Sequence, residues 1–159
     1  MTQALHAPDA ADATPDHKLS LRLWLRLLSC SALLEKTVRA RLTAEFDTTL
    51  PRFDVLAALE RTPDGLQLGQ LSRYLLVSNG NVTPVIARLV SEGLVDRRVD
   101  TSDGRVVRVS LTPEGRGAFL QMATAHEAWI ETMLSGLDHA DQTELLTLLT
   151  RLRRVLAKV

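Results

Sequence analysis

Small polar side chains and arginines that could contact a nucleic acid are concentrated between residues 78 and 105. Hydroxyl and amide groups can hydrogen-bond to phosphates, and asparagine can pair with the edge of an adenine. A guanidinium can enter a narrow minor groove, where the negative potential is strongest. We therefore predict a DNA-contacting surface made of Ser78, Asn79, Asn81, Thr83, Arg88, Arg97, Asp103 and Arg105.

The members of this set have competing interpretations. In the alternative interpretation, the small polar residues cap the helix and are solvated without contacting DNA. Ser78 is the best candidate for a residue that acts as a cap alone. Arg88 either contacts DNA or braces the neighbouring hairpin through an acidic partner. Arg97 and Arg98 alternate faces of a predicted strand, so only one of them can easily point toward DNA.

The loop residues Asp103 and Arg105 flank a glycine that forms a turn with them. We predict that Arg105 contacts DNA and that Asp103 orients the loop by accepting hydrogen bonds. The alternative is an exposed salt bridge within the turn, which would stabilise little.

A helix followed at once by a hairpin is predicted to position these residues. Ser78 is a good N-cap, and apolar residues from Val82 to Val90 recur at helical spacing. Gly93 follows where a helix ends in the left-handed conformation. Two β-rich segments then flank the turn residues 100–104. Such a helix fits a major groove, and the hairpin tip can reach the backbone or the minor groove.

Pro84 conflicts with this helix. Counted from Ser78 as the N-cap, it is the sixth helical residue, and its missing N–H deprives the Gly80 carbonyl of its partner. Either the helix kinks, or it begins later than Ser78 indicates.

The rest of the chain is also predicted to be helical. Residues 18–46 contain no glycine or proline and predict one helix of about 28 residues, roughly 40 Å long. Its first half is apolar nearly all round apart from Arg22 and Arg26, so a partner subunit is the simplest covering surface. Two short helices precede Ser78, the second beginning near Gln67, which is a poor cap. Two more helices follow, capped by Thr112 and Asp138.

These elements predict a mainly α fold with a small β-hairpin wing: a winged helix-turn-helix lobe plus a helical dimerisation region. We assign residues 1–16 to a flexible N-terminal arm and residues 48–112 to the DNA-binding lobe. Residues 17–47 and 113–159 form the predicted dimerisation region.

The charge balance supports DNA binding only weakly. The formal net charge is 0, whereas nucleic-acid binders usually have a basic excess. Between residues 73 and 116 there are seven arginines against five acidic residues, a local excess of two. The prediction of DNA binding therefore depends on the arrangement of the residues and not on their charge. The alternative is a winged-helix module that binds only proteins.

The sequence predicts a cytoplasmic protein without a membrane partner. It contains no run of 18 apolar residues, and residues 1–16 lack the features of a secretory signal. The single cysteine, Cys30, fits a reducing compartment. We expect a buried structural thiol there, and the alternative is a redox sensor, which requires exposure.

No catalytic or metal-binding pattern is visible. The four histidines, His6, His17, His126 and His139, share no ligand spacing with one another or with Cys30. No nucleophile–base grouping, phosphate-binding glycine loop or carboxylate pair is present. We therefore predict that the protein is not an enzyme and uses no metal or other cofactor.

The combined pattern resembles the MarR family of bacterial transcriptional regulators over roughly residues 18–157. The residues that carry the resemblance are Leu50-Pro51-x-Phe53-x-Val55-Leu56, Leu71-Ser72-x-x-Leu75, Val77-Ser78-x-Gly80-Asn81-Val82-Thr83, Arg88-Leu89-x-x-x-Gly93-Leu94-Val95-x-Arg97 and Asp103-Gly104-Arg105-x-Val107-x-Val109-x-Leu111-Thr112-Pro113-x-Gly115. The resemblance implies a triangular homodimer with intertwined terminal helices and two winged lobes that grip a pseudo-palindromic operator in double-stranded DNA. It also implies a small-ligand pocket between the dimer helices and each lobe.

Residues 80–83 and 21–28 are similar to those of family members that control aromatic-acid catabolism. Some of these members are released from DNA by a phenolic acid or its CoA thioester. Such an effector needs an apolar slot and a cation for its carboxylate. The candidates are Arg22, Trp24, Arg26, Phe53, His126 and Trp129. The alternative is that these aromatic residues belong to the core or to the dimer interface.

The hypothesis is therefore a ligand-responsive regulator that acts as a repressor. It binds its operator as a homodimer and is released by a small aromatic acid or an acyl-CoA. The alternatives are a protein-interaction module without DNA binding and a redox-sensing regulator that acts through Cys30.

Overall fold

The computed structural model describes residues 18–75, 78–100 and 106–158. Within these ranges the chain forms helices α1 Leu19–Phe46, α2 Leu50–Glu60, α3 Leu68–Tyr74, α4 Asn79–Ser91, α5 Pro113–Leu134 and α6 His139–Leu156, and strands β1 Leu66–Gln67, β2 Val95–Val99 and β3 Val107–Leu111. The prediction of a mainly α, winged helix-turn-helix fold is confirmed. The predicted N-terminal arm, residues 1–16, lies outside the described residues.

The chain divides into two compact units, residues 1–35 and 36–159. The described part of the first unit is the beginning of α1. It exposes a run of large apolar side chains: Leu19, Leu21, Leu23, Trp24, Leu25, Leu28 and Leu33. Cys30 is exposed as well, so the expectation of a buried thiol is wrong. Cys30 lies on a helix segment whose leucines are themselves exposed, so an apolar sequence context did not bury it.

The core of the second unit lies where α2, α3 and α4 meet the sheet. Leu42 of α1, Leu71 of α3, Leu89 of α4 and Val109 of β3 are completely inaccessible to solvent. Ile86 and Val82 lie one turn and two turns before Leu89 on the same face of α4 and are also buried. Burial of these side chains holds one face of α4 against the core and leaves the opposite face outward.

The three strands form an antiparallel sheet in the order β1-β3-β2. Arg97 of β2 lies opposite Val109, and Leu66 of β1 lies on the other side of the same residue. Strand β1 was not predicted, because two residues are too short to show a periodicity. Gly65 makes the pairing possible: its φ is +79°, and a Cβ there would lie 2.7 Å from the Val109 carbonyl oxygen.

The caps of α5 and α6 form as the sequence predicts. The Thr112 hydroxyl accepts from the Gly115 amide at 2.9 Å, and the Asp138 carboxylate accepts from the Asp141 amide at 2.8 Å, as predicted. Ser78 occupies the N-cap of α4, but its side chain makes no capping hydrogen bond. Gln67, expected to be a poor cap, forms a reciprocal capping box with Gln70. The glutamine amide supplies the acceptor that a shorter side chain would ordinarily provide.

The start of the hairpin is joined tightly to the start of α5. The Thr112 hydroxyl donates to the Gly93 carbonyl at 2.7 Å, and the Thr112 amide donates to the Leu94 carbonyl at 3.2 Å. A Cβ on Gly115 would lie 1.9 Å from the Leu94 carbonyl oxygen. Only glycine therefore allows this approach of the two main chains.

Candidate nucleic-acid interface

Helix α4 presents the predicted polar residues on the surface of the second unit. Ser78, Asn81 and Thr83 are exposed, while Val82 between them is buried in the core. Asn79 begins the helix, but its side chain lies outside what the structure describes. The first two turns of the helix therefore expose uncharged polar side chains, the kind that contact phosphates in protein–DNA complexes.

Pro84 does not shorten this helix. α4 runs without interruption from Asn79 to Ser91, with Ser78 at its N-cap in an extended conformation. The alternative that the helix begins later than Ser78 is therefore wrong. Pro84 and its neighbours Thr83 and Ala87 are exposed, so the outer face of α4 carries the proline.

Arg97 is the predicted arginine that lies beside α4. A shallow depression of about 240 Å³ separates α4 from β2 and α3, and both Thr83 and Arg97 line it. Arg98, on the other face of β2, donates to the Asp96 carboxylate at 2.8 Å. The structure thus brings Thr83 and Arg97 together and leaves Arg98 in a separate exposed ion pair.

Arg88 belongs to an ion-pair cluster at the end of α4. Its Nε donates to Glu92 Oε1 at 3.1 Å, and Glu92 Oε2 accepts from Arg52 of α2. Burial would raise the pKa of Glu92, but hydrogen bonds and charges from Arg52 and Arg88 together hold it below its ordinary value. Of the two interpretations of Arg88, the acidic partner is present, but the cluster ties α4 to α2 rather than to the hairpin.

The prediction missed Arg52 and Glu92. Arg88 and Glu92 are four residues apart on one helix, so their pairing could have been anticipated. Arg52 lies forty positions before Glu92, and no local pattern joins them. Both residues line an open cleft of about 380 Å³ that also includes Phe46, Leu56 and Met122.

An ion pair closes the described part of the hairpin. Arg108 of β3 donates to the Asp100 carboxylate at 2.8 Å, and the Asp100 amide donates to the Val106 carbonyl at 2.8 Å. Asp103 and Arg105 lie in the segment 101–105, outside the described residues. Their predicted roles therefore remain predictions.

The predicted effector residues fall into two sets. Phe53 is buried, and its ring lies 5.0 Å from that of His126 and 5.6 Å from that of Phe119. Burial lowers the pKa of His126, which favours the neutral imidazole. Trp129 completes this aromatic cluster, with its ring 6.4 Å from His126. The core interpretation therefore holds for Phe53 and Trp129.

The other set lies in the first unit. Arg22 and Arg26 line one shallow depression of about 230 Å³ together with Leu25 and Ser29. Trp24, on the same helix segment, is 58% exposed. The two arginines are one helical turn apart, so a single carboxylate could contact both.

The described residues show neither a metal site nor a membrane span. Across residues 18–75, 78–100 and 106–158, no three His, Cys, Asp or Glu side chains are grouped so that they could hold a metal ion. No helix in these ranges has the length and apolar character needed to cross a membrane.

Comparisons with known proteins identify the family. Residues 46–106 match the MarR family model. The transcriptional activatory protein BadR of Rhodopseudomonas palustris is 39% identical over 111 residues, which cover 67% of this chain and 63% of BadR. The chain therefore spans less than two thirds of that relative's length.

Solved structures extend the similarity to nearly the whole chain. A MarR family transcriptional regulator from Silicibacter pomeroyi is 31% identical, with a TM-score of 0.75 over 90% of this chain and 99% of that one. The PcaV regulator of Streptomyces coelicolor, solved in complex with its natural ligand, is 26% identical, with a TM-score of 0.65 over 91% and 97%. These proteins are named as transcriptional regulators, not as enzymes. The chain belongs to the MarR family of transcriptional regulators.

Proposed function

We propose that the protein is a ligand-responsive transcriptional regulator that binds a pseudo-palindromic operator as a homodimer through α4. The observation that carries the proposal is the start of α4, where Ser78, Asn81 and Thr83 are exposed and Thr83 lines one depression with Arg97. The major groove of DNA admits a helix, and its base edges are recognised by side chains of this kind. In this proposal residues 48–112 form the DNA-binding lobe.

The apolar surface of α6 supports the homodimer. The structure describes no buried residue in α6, and the helix exposes Leu145, Leu146, Leu148 and Leu149. A groove of about 370 Å³, lined largely by leucines, lies between α6 and the end of α5. Exposed patches of this kind mark association sites, and a second copy of the chain would cover them.

A two-fold symmetric dimer predicts the form of the operator. Two copies of α4 would enter successive major grooves on one side of the duplex, with half-sites about 34–36 Å apart. In this proposal residues 17–47 and 113–159 form the dimerisation region, and residues 103 and 105 contact the DNA backbone or minor groove.

A binding measurement tests the proposal. The protein would be titrated onto a fluorescent duplex from upstream of its own gene at 50 and 200 mM salt. Because phosphate contacts release counterions, affinity should fall steeply between the two conditions. An affinity that is absent or insensitive to salt would contradict the proposal and favour the protein-interaction module, which the zero net charge also favours.

The effector is proposed to be a small aromatic acid or its CoA thioester. Support comes from the arginine pair at Arg22 and Arg26 and from the similarity to PcaV, which was solved with its natural ligand. By linkage, the effector must bind the DNA-free form more tightly than the DNA-bound form. Thermal stabilisation across a panel of aromatic acids and acyl-CoAs identifies it, since a ligand specific for the native state raises the melting temperature.

The proposed direction of regulation is repression, by a dimer that occludes its own promoter. BadR is named as an activatory protein, so the opposite direction has a specific relative in its favour. A reporter gene under the upstream DNA decides between them: deletion of the regulator should raise expression if it represses and lower it if it activates.

Redox sensing is a second candidate, favoured by the exposure of Cys30. A thiol sensor must be accessible to its oxidant. If Cys30→Ser releases DNA as fully as the wild type when peroxide is added, this candidate is eliminated.

A further inference from the structure

Pro84 leaves a main-chain acceptor without its usual donor on the outer face of α4. In a continuous α-helix the amide of residue 84 would donate to the carbonyl of Gly80. Proline has no N–H, and α4 runs through it without a break. Gly80 carries no side chain that could cover its carbonyl, and both residues are exposed. A carbonyl without its helical N–H donor and a proline ring therefore belong to two exposed residues about one helical turn apart.

These groups lie on the side of α4 that faces away from the core. Gly80, Pro84 and Ala87 are four and three residues apart and share one face of the helix. The buried residues of the same helix, Val82, Ile86 and Leu89, lie on the opposite face. We call Gly80, Pro84 and Ala87 the outer strip. All three are exposed, and none carries a charge.

An uncharged strip that combines one acceptor with apolar surface does not match a phosphate, which needs donors or cations. It matches the major-groove edge of an A·T pair. Adenine offers an amino donor there, and thymine offers a methyl group on the same base pair. A G·C pair also offers an amino donor, from cytosine, but it has no methyl group.

We infer that the outer strip selects one A·T pair in each half-site of the operator. The Gly80 carbonyl accepts from the adenine amino group, and Pro84 and Ala87 pack against the thymine methyl group. The inference rests on the proposed binding of DNA through α4 and adds main-chain and apolar contacts to those of the polar side chains. Pro84 has two roles in this inference. Its ring provides apolar surface, and because it has no N–H, it does not occupy the Gly80 carbonyl with a helix hydrogen bond.

Two base analogues in the operator, each lacking one functional group, test the inference. Deoxyuridine in place of thymidine removes only the methyl group, and purine in place of adenine removes only the amino group. At one symmetric A·T pair of each half-site, the first change should weaken wild-type binding about fourfold, the worth of one buried methyl group. The second should weaken it roughly five- to tenfold, the worth of one hydrogen bond.

Pro84→Ala is the decisive variant. It restores the amide that donates to Gly80, so at that pair removal of the adenine amino group should weaken its binding by less than about twofold. It also removes the ring but leaves Ala87, so removal of the thymine methyl group should weaken its binding by less than the roughly fourfold loss of the wild type. The variant regains a helix hydrogen bond, and its melting temperature should equal or exceed that of the wild type. Pro51→Ala, a proline substitution in the first turn of α2, is the matched control and should keep the wild-type sensitivity.

The outcomes separate this inference from the proposed function. If the wild type binds its operator but no A·T pair responds to both substitutions, the inference is overturned and the proposed function stands. The same holds if Pro84→Ala retains the full sensitivity. If the wild type shows no salt-dependent binding to its upstream DNA, the proposed function fails and the inference fails with it.

Discussion

The carboxylate of Glu92, at the C-terminal end of α4, is hydrogen-bonded to the guanidinium of Arg52 in the first turn of α2. The side chain of Arg52 is 17% exposed and that of Glu92 is 33% exposed, so solvent screens the pair only in part. Since Arg88 of α4 donates to the other oxygen of the same carboxylate, one acid fixes the end of α4 against α2.

Glu92→Gln should destabilise the protein by about 1 kcal/mol at pH 7, because an amide replaces a partly buried carboxylate between two arginines. The pKa of Glu92 is lowered from 4.5 in the folded state. The ionised carboxylate therefore contributes to the free energy of unfolding above about pH 4.5, and this contribution is lost as the pH falls through the pKa of Glu92 in the folded state. Urea denaturation of both proteins from pH 7 to pH 3 measures the difference. A gap that stays constant down to pH 3 would show that the ionised carboxylate is not its source.

Gly115→Ala should destabilise the protein by about 3 kcal/mol, because the new methyl group overlaps the Leu94 carbonyl oxygen and the main chains must separate. Gly117→Ala is the matched control two residues further along α5. Nothing lies within 4 Å of a Cβ there, so helix propensity should stabilise that variant by up to about 1 kcal/mol. Thermal and urea unfolding compare the two. Equal effects would mean that the contact with Leu94 relaxes without cost.

Arg97→Ala should weaken DNA binding and lower the slope of log affinity against log salt by about 1, since it removes one phosphate contact. Arg98→Ala removes the neighbouring charge, which is engaged by Asp96, and should leave the slope nearly unchanged. Anisotropy titrations of both variants at four salt concentrations measure it. Equal slopes for the two variants would remove Arg97 from the interface.

Leu149→Glu should dissociate the dimer. Leu149 lines the apolar groove between α5 and α6, and burying an unpaired carboxylate there costs at least roughly 3 kcal/mol, or more than about a hundredfold in the dimer dissociation constant. Thr147→Glu places the same charge on the opposite side of α6 and should leave the dimer intact. Sedimentation equilibrium measures the mass of each variant. An unchanged mass for Leu149→Glu would place the dimer interface elsewhere.

The elements that the sequence predicted correctly are those whose signals are local. α4 combines a cap at Ser78, apolar residues at helical spacing and a glycine at its end, and its bounds follow directly. The caps at Thr112 and Asp138 belong to the same class. The residues that were misjudged depend on the rest of the fold: strand β1 exists because β3 lies beside it, and Gly65 allows the two to pair.

The candidate site shows the same division. The exposure of Asn81 and Thr83 follows from their positions on either side of the buried Val82. The link from Arg52 to Glu92 joins segments forty residues apart, so no spacing rule could have found it. The exposure of Cys30 contradicted an expectation based on its apolar neighbours, because those neighbours are themselves exposed in a single copy of the chain.

The contact between Gly115 and Leu94 couples the hairpin closely to the first turn of α5. With no room for even a methyl group between the two main chains, the first turn of α5 cannot slide past the root of β2. α5 has 22 residues and is about 33 Å long. A small tilt of α5 at its far end would therefore move the hairpin with it. In the proposed DNA complex, the position of the hairpin would therefore depend on what holds the distant end of α5.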